Sequence, residues 1–231
     1  DNTTGKRQFN VSSTGSLIFQ NNVTFEAGDE LNMTGGTVTF QGGNRTFTNA
    51  GVVNCTGGTV VFNDATATIL TGAGTWNFNN ITINSGRTLT QTASNINVAG
   101  NWTNSGGTFN ENTNTVTCNG TGIQTITGAE TFYRLTTNKP SGTLTLANNV
   151  IVSNTLNMTA GNIDANGNKI TLGTSTANTG TLNYTAGTII GKYEKWLAST
   201  GAARVFPVGT ASATRQLTTT FTNLTAGSLI V

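Results

Sequence analysis

The heptapeptide Thr34-Gly35-Gly36-Thr37-Val38-Thr39-Phe40 returns almost unchanged as Thr56-Gly57-Gly58-Thr59-Val60-Val61-Phe62, a spacing of 22 residues. Each copy is a small-residue corner leading into apolar positions that alternate with polar ones, the pattern of a turn followed by a short strand. A repeat of this length made of strands and glycine corners constrains the chain to a solenoid, in which each coil buries its apolar side only against its neighbours.

The beat extends in both directions. Leu17-Ile18-Phe19, Val23-Thr24-Phe25 and Leu31-Asn32-Met33 form a first coil, separated by Gln20-Asn21-Asn22 and Ala27-Gly28-Asp29. Val38-Thr39-Phe40, Arg45-Thr46-Phe47 and Val52-Val53-Asn54-Cys55 form a second, and Val60-Val61-Phe62, Thr68-Ile69-Leu70 and Trp76-Asn77-Phe78 a third. Three short strands in about 21 residues define one rung of a parallel β-helix, whose coils stack at roughly 4.8 Å with inward side chains in ladders. Phe19, Phe40 and Phe62 are predicted to form one ladder. The fold class is therefore all-β: a parallel β-helix over residues 9–172, preceded by an arm at 1–8 that carries Lys6 and Arg7. After Leu172 the strands lengthen and charge mixes with aromatics, as in Lys192-Tyr193-Glu194-Lys195-Trp196. Residues 173–231 read as an antiparallel β region, an incomplete sandwich.

Composition narrows the class further. Only 9% of the 231 residues are charged, histidine is absent, and Gly, Thr and Asn dominate the polar fraction. Thr and aromatics favour strands, whereas helices draw on the long charged residues that are scarce here. A formal charge of +2 is too small to hold the chain open as a disordered polymer. No run approaches the ~18 apolar residues of a membrane-spanning helix. The start at Asp1, with no charged segment leading an apolar run, reads as a processed chain, and the expected location is extracellular or at the cell surface. Asn-x-Ser/Thr tripeptides, as at Asn10, Asn22, Asn32 and Asn157, permit glycosylation, although a chain rich in Asn and Thr produces them by chance.

Thr131-Phe132-Tyr133-Arg134-Leu135, Lys139-Pro140-Ser141-Gly142-Thr143-Leu144-Thr145-Leu146, Gly161-Asn162-Ile163-Asp164-Ala165-Asn166-Gly167-Asn168 and the later Arg204-Val205-Phe206-Pro207-Val208-Gly209 resemble repeat segments of large secreted surface proteins of Bacteroidota-like bacteria and the module that follows them. The likeness covers about the C-terminal half. It implies an exported, adhesive or structural β-solenoid and no catalytic residue. The chain departs from that pattern in being short and in showing no sorting domain.

Chemistry has few places to reside. Cys55 and Cys118 lie 63 residues apart, three rungs or roughly 14 Å along the axis, whereas a disulfide needs Cα atoms within about 7 Å; no intrachain disulfide is expected. Of the nine acidic residues only Glu26, Asp29 and Glu30 cluster. They could hold calcium with Asn oxygens, but a solvated corner accounts for them as well. Polysaccharide-cleaving β-helices need paired carboxylates focused on one groove, which the dispersed acids do not supply. No catalytic residue, metal or cofactor is expected. Rows of Thr suggest ice binding, yet they do not keep one phase between rungs. Basic residues are too diluted for nucleic acid.

Two places remain for partners. Tyr193 and Trp196 are candidates for contact with surface glycans or a partner chain. The ends are the other: a stacked solenoid leaves unpaired N–H and C=O groups on its outermost coil, no capping helix precedes the first rung, and Leu229-Ile230-Val231 is an apolar strand with no polar terminator. Lys6, Arg7, Leu229, Ile230 and Val231 are thus candidate subunit contacts of a homopolymer, a head-to-tail filament joined by strand addition. The alternative is an adhesin or carbohydrate-binding module of a larger surface protein.

Overall fold

A computed structural model describes residues 6–198, 200, 202–225 and 227–231. They form β-strands without a helix, in two compact units, Asp1–Thr117 and Cys118–Val231. Both are parallel β-solenoids; the second adds antiparallel strands.

In the first unit each rung has three legs. The first begins at Gln8–Val11, which pairs in parallel with 30–33. The second begins at Ser16–Phe19, paired with 37–40, and continues through 59–62, Asn80–Ile83 and Trp102–Asn104. The third is a sheet of five strands, Val23–Phe25, Arg45–Asn49, Thr68–Thr71, Thr88–Gln91 and Thr108–Asn110. Paired residues in adjacent rungs stand 20 to 24 positions apart, around the 22-residue repeat.

Phe19, Phe40 and Phe62 occupy one register. Their rings stack with centroids 5.4 Å apart at interplanar angles of 16° and 12°. Phe47 of the third leg packs on Phe40 at 4.2 Å, and Val38, Val60, Ile81 and Trp102 form a parallel buried ladder. A buried Phe contributes about 1.5–3 kcal/mol by leaving water. On the outer side of the first leg Asn10, Asn32, Asn54, Asn77 and Asn97 share one register, and the Asn97 amide donates to the Asn77 carbonyl oxygen at 2.8 Å.

The Gly-Gly corner is tighter than a turn between separate strands. Glu30–Gly42 and Val52–Asp64 run unbroken through it, with a register shift between Thr34 and Thr37. Gly36 and Gly58 each adopt φ +72°, the left-handed region that glycine occupies without penalty. A Cβ at Gly36 would run into the Gly15 carbonyl oxygen of the rung before.

In the second unit 144–146, 163–164, 189–190 and 208–209 continue one parallel leg, and 134–137, 155–158 and Thr181–Tyr184 another. Leu135, Leu156 and Leu182 share a register there. Residues 173–231 were expected to be antiparallel, yet parallel pairing runs past Leu172 as far as Gly209. The spacing between hydrogen-bond partners rises from 20 residues to 26 where 155–163 meet 181–189, because 173–180 is inserted between two legs. That insertion breaks the sequence beat without breaking the stack. Antiparallel pairing is local: 204–206 with 217–219, 209–210 with 213–214, and 194–197 with 227–230.

Gly36→Ala is expected to cost about 3 kcal/mol, since it adds a backbone clash to the left-handed strain, whereas Gly86→Ala should cost only about 1 kcal/mol. Gly86 has φ +68° with nothing within 4 Å of its added Cβ. Urea unfolding of the two variants checks the difference.

Candidate functional site

Residues with partner potential fall in the first rung of one unit and the last turn of the other. In the first rung Arg7 is tied to its own chain. Its backbone N–H donates to Asp29 Oδ1 at 2.8 Å, its guanidinium to Asp29 Oδ2 at 2.5 Å and to the Thr24 carbonyl at 3.0 Å. Asp29 also accepts from the Glu26 N–H at 2.8 Å. The side-chain and backbone hydrogen bonds from Arg7 hold the Asp29 carboxyl down to about 2. Glu30 accepts from Gln8 and Asn32. The acidic corner is thus pinned through the buried Asp29 by an arginine one rung away, while Glu26 stays exposed and Glu30 half-buried. No metal-binding group of three or more His, Cys, Asp or Glu occurs among the described residues.

The strands Gln8–Val11 and Ser16–Phe19 have a neighbour on one side only among the described residues. A cleft of about 340 Å³ lies against them, lined by Phe9, Val11, Gly15 and Leu17. Phe9 is half-buried and meets Phe19 and Phe25 edge-on at 5.8 and 6.2 Å, so it stops the end of the aromatic core. Lys6 is exposed beside the Gly28 corner. Residues 1–5 of the expected arm lie outside the described residues.

In the second unit the C-terminal strand is already paired on one side. Gly227–Ile230 runs antiparallel to 194–197, and Val231 exchanges two backbone hydrogen bonds with Tyr193, both at 2.9 Å. Leu229 and Val231 are half-buried and Ile230 is 52% exposed. Glu194 locks this strand: its carboxylate accepts from Ser228 at 2.6 Å, Thr171 at 3.1 Å and Lys169 at 2.5 Å. Burial alone would push its pKa up, but these bonds together pull it below the usual carboxylate range.

Tyr193 was expected to face a partner, but it is fully buried, packed against Phe206 at 5.7 Å. Strand alternation turns it inward, and burial pushes its phenol pKa up. Trp196, half-buried, does reach the surface. It lines a cleft of about 270 Å³ with Gly180, Lys195 and Arg204, and another of about 420 Å³ with Ile151, Lys169 and Glu194.

Sequence reasoning passed over two buried lysines. Lys139 donates to the Gly120 carbonyl at 2.9 Å and to Gln124 Oε1 at 2.7 Å, a satisfied core position. Lys195 is only 7% exposed, and nothing in the mixed sequence of its strand, which also carries Lys192 and Glu194, marks it as the buried one. Cys55 and Cys118 are free buried thiols, each pushed up to about 12 by burial, far from the reactive thiolate range.

No helix among the described residues is long and apolar enough to cross a membrane. No known protein family, curated protein or solved structure matches the chain. The likeness to secreted surface repeats therefore rests on the residues quoted above.

The Arg7–Asp29 pair sets an acid dependence. Asp29 titrates near 3.9 when unfolded and about 2 when folded, so the pair's stabilisation is complete above about pH 4 and lost as pH falls towards 2. Thermal midpoints between pH 5 and 2 should fall more steeply for the native chain than for Asp29→Asn, which should start lower and vary less.

Proposed function

We propose that the chain is a non-catalytic extracellular or cell-surface structural protein whose copies join head-to-tail into a filament. The observation that carries this reading is the one-sided pairing of Gln8–Val11 and Ser16–Phe19 among the described residues. An exposed strand edge is a template for another strand, and the half-buried Phe9 and Leu17 beside it offer apolar surface to what is added. The strand donor is Gly227–Ile230 of a neighbouring copy, which has an intrachain neighbour in 194–197 and exposes Ile230. A non-catalytic role draws support from how the acids are used: Asp29, Glu30 and Glu194 are each engaged in holding strands together.

A second reading, an adhesin or glycan-binding module of a larger surface protein, is supported by Trp196 between its two clefts. Indole faces and adjacent polar groups suit sugars, since one end of the ring is apolar and the other polar.

Electron microscopy and sedimentation decide the first reading. The native chain is expected to form filaments as concentration rises, and Ile18→Lys, which places a charge on the edge strand at a residue 48% exposed, is expected to leave folded monomers. Uniform monomers of the native chain at high concentration, or filaments unaffected by Ile18→Lys, would contradict it.

A further inference from the structure

One parallel leg of the first unit begins, and one of the second unit ends, on strands of the same pattern. Gln8-Phe9-Asn10-Val11 registers with Glu30-Leu31-Asn32-Met33, and Thr181-Leu182-Asn183-Tyr184 with Thr155-Leu156-Asn157-Met158. Neither has a strand in register on its other side among the described residues. Each end strand reads polar, apolar, Asn, apolar. In both the polar residues are exposed and the apolar ones turn inward, with Phe9, Leu182 and Tyr184 half-buried and Val11 buried. A cleft of about 370 Å³, bordered by Val205 and Gln216, lies against Leu182 and Tyr184, where the inward side chains of one more strand would be received.

The outward amides give the stack a direction. In each pair the residue of the later rung donates to that of the earlier: Asn97 to Asn77, Asn157 to Thr136 and Asn183 to Asn157. Asn183 therefore offers its carbonyl oxygen to a following rung, and Asn10 offers its amide N–H groups to a preceding one. Neither group has a partner among the described residues. Charge is complementary as well. Residues 6–30 carry three acids and two bases, whereas 181–231 carry four bases and one acid, so the two ends attract rather than repel. Because strand side chains alternate with a period of two, only a register that sets apolar on apolar buries both inward faces.

We propose that Thr181–Tyr184 of one copy pairs in parallel with Gln8–Val11 of the next, with Leu182 opposite Phe9, Asn183 opposite Asn10 and Tyr184 opposite Val11. The Asn10 amide then donates to the Asn183 carbonyl oxygen, and Phe9 and Val11 cover the open side of Leu182 and Tyr184. The pairing rests on the head-to-tail reading and gives Gln8–Val11 a partner strand of its own, leaving Ser16–Phe19 to Gly227–Ile230.

The test is oxidative crosslinking of the full chain at exposed positions two residues before the asparagines. In this register Gln8 and Thr181 stand about 4.8 Å apart, within the reach of a disulfide, while the native Cys55 and Cys118 are buried. An oxidised equimolar mixture of Gln8→Cys and Thr181→Cys is expected to give dimers on a non-reducing gel, and the double variant a ladder of multimers. Either single variant alone, and Gln8→Cys mixed with Ile230→Cys, should stay monomeric on the gel. Asn183→Lys, at an exposed position, should raise the concentration at which filaments form about tenfold with an unchanged circular dichroism spectrum. Native filaments without the Gln8–Thr181 crosslink, or filaments unaffected by Asn183→Lys, would overturn this pairing and leave the filament reading standing. Absence of filaments from the native chain would overturn both.

Discussion

Everything in this fold depends on one requirement: an inward side chain must lie on its counterpart from the rung before. Parallel strands stack at a fixed spacing of roughly 4.8 Å, which leaves a flat ring room for a near-parallel ring above it and little else. Phe19, Phe40 and Phe62 meet this requirement with stacked rings, and the glycines of the Thr-Gly-Gly corner meet it in the backbone. Gly35 and Gly36 lie close to Ser13 and Gly15 of the preceding rung, where a larger residue would pry the coils apart. Length, by contrast, is tolerated where the chain leaves the stack. The 173–180 segment lengthens a turn while Leu156 and Leu182 keep their register.

That division explains what the sequence reveals. The Phe ladder and three-legged rung are visible in the repeated heptapeptide, because ladder positions must be chemically alike and equally spaced. The end of the parallel stack is not. It was placed at Leu172 because the beat fails there, but a corner insertion changes the spacing and leaves the pairing intact. Tyr193 and Trp196 differ in the same way: both are aromatic in one strand, and only the pleat decides that the first is core and the second faces a cleft. Lys195 and Arg204 come together through the folded-back segment 179–184 and the antiparallel strands, so no local pattern announces them.

The few charged residues are informative because they are few. Arg7 and Asp29 fasten the first rung to the next, and Lys169 and Glu194 fasten the C-terminal strand to the turn beneath it. Hydroxyls and amides do much of the remaining outward bonding, as in the Asn77 and Asn97 pair and in Asn157, which donates to Thr136 and accepts from Asn183. The exposed strand edge of the first rung is the feature that the stacking of rungs does not itself explain.

The stacking claim is tested most directly by removing one rung. Deleting residues 34–55 joins Met33 to Thr56 and brings Phe62 into the place of Phe40, whereas deleting residues 34–44 removes half a rung and sets every later ladder out of phase. Circular dichroism with thermal unfolding should show a folded β protein with a cooperative, somewhat lower transition for the whole-rung deletion and no cooperative transition for the half-rung deletion. Equal stability of the two, or loss of fold in both, would contradict an architecture governed by rung-to-rung register.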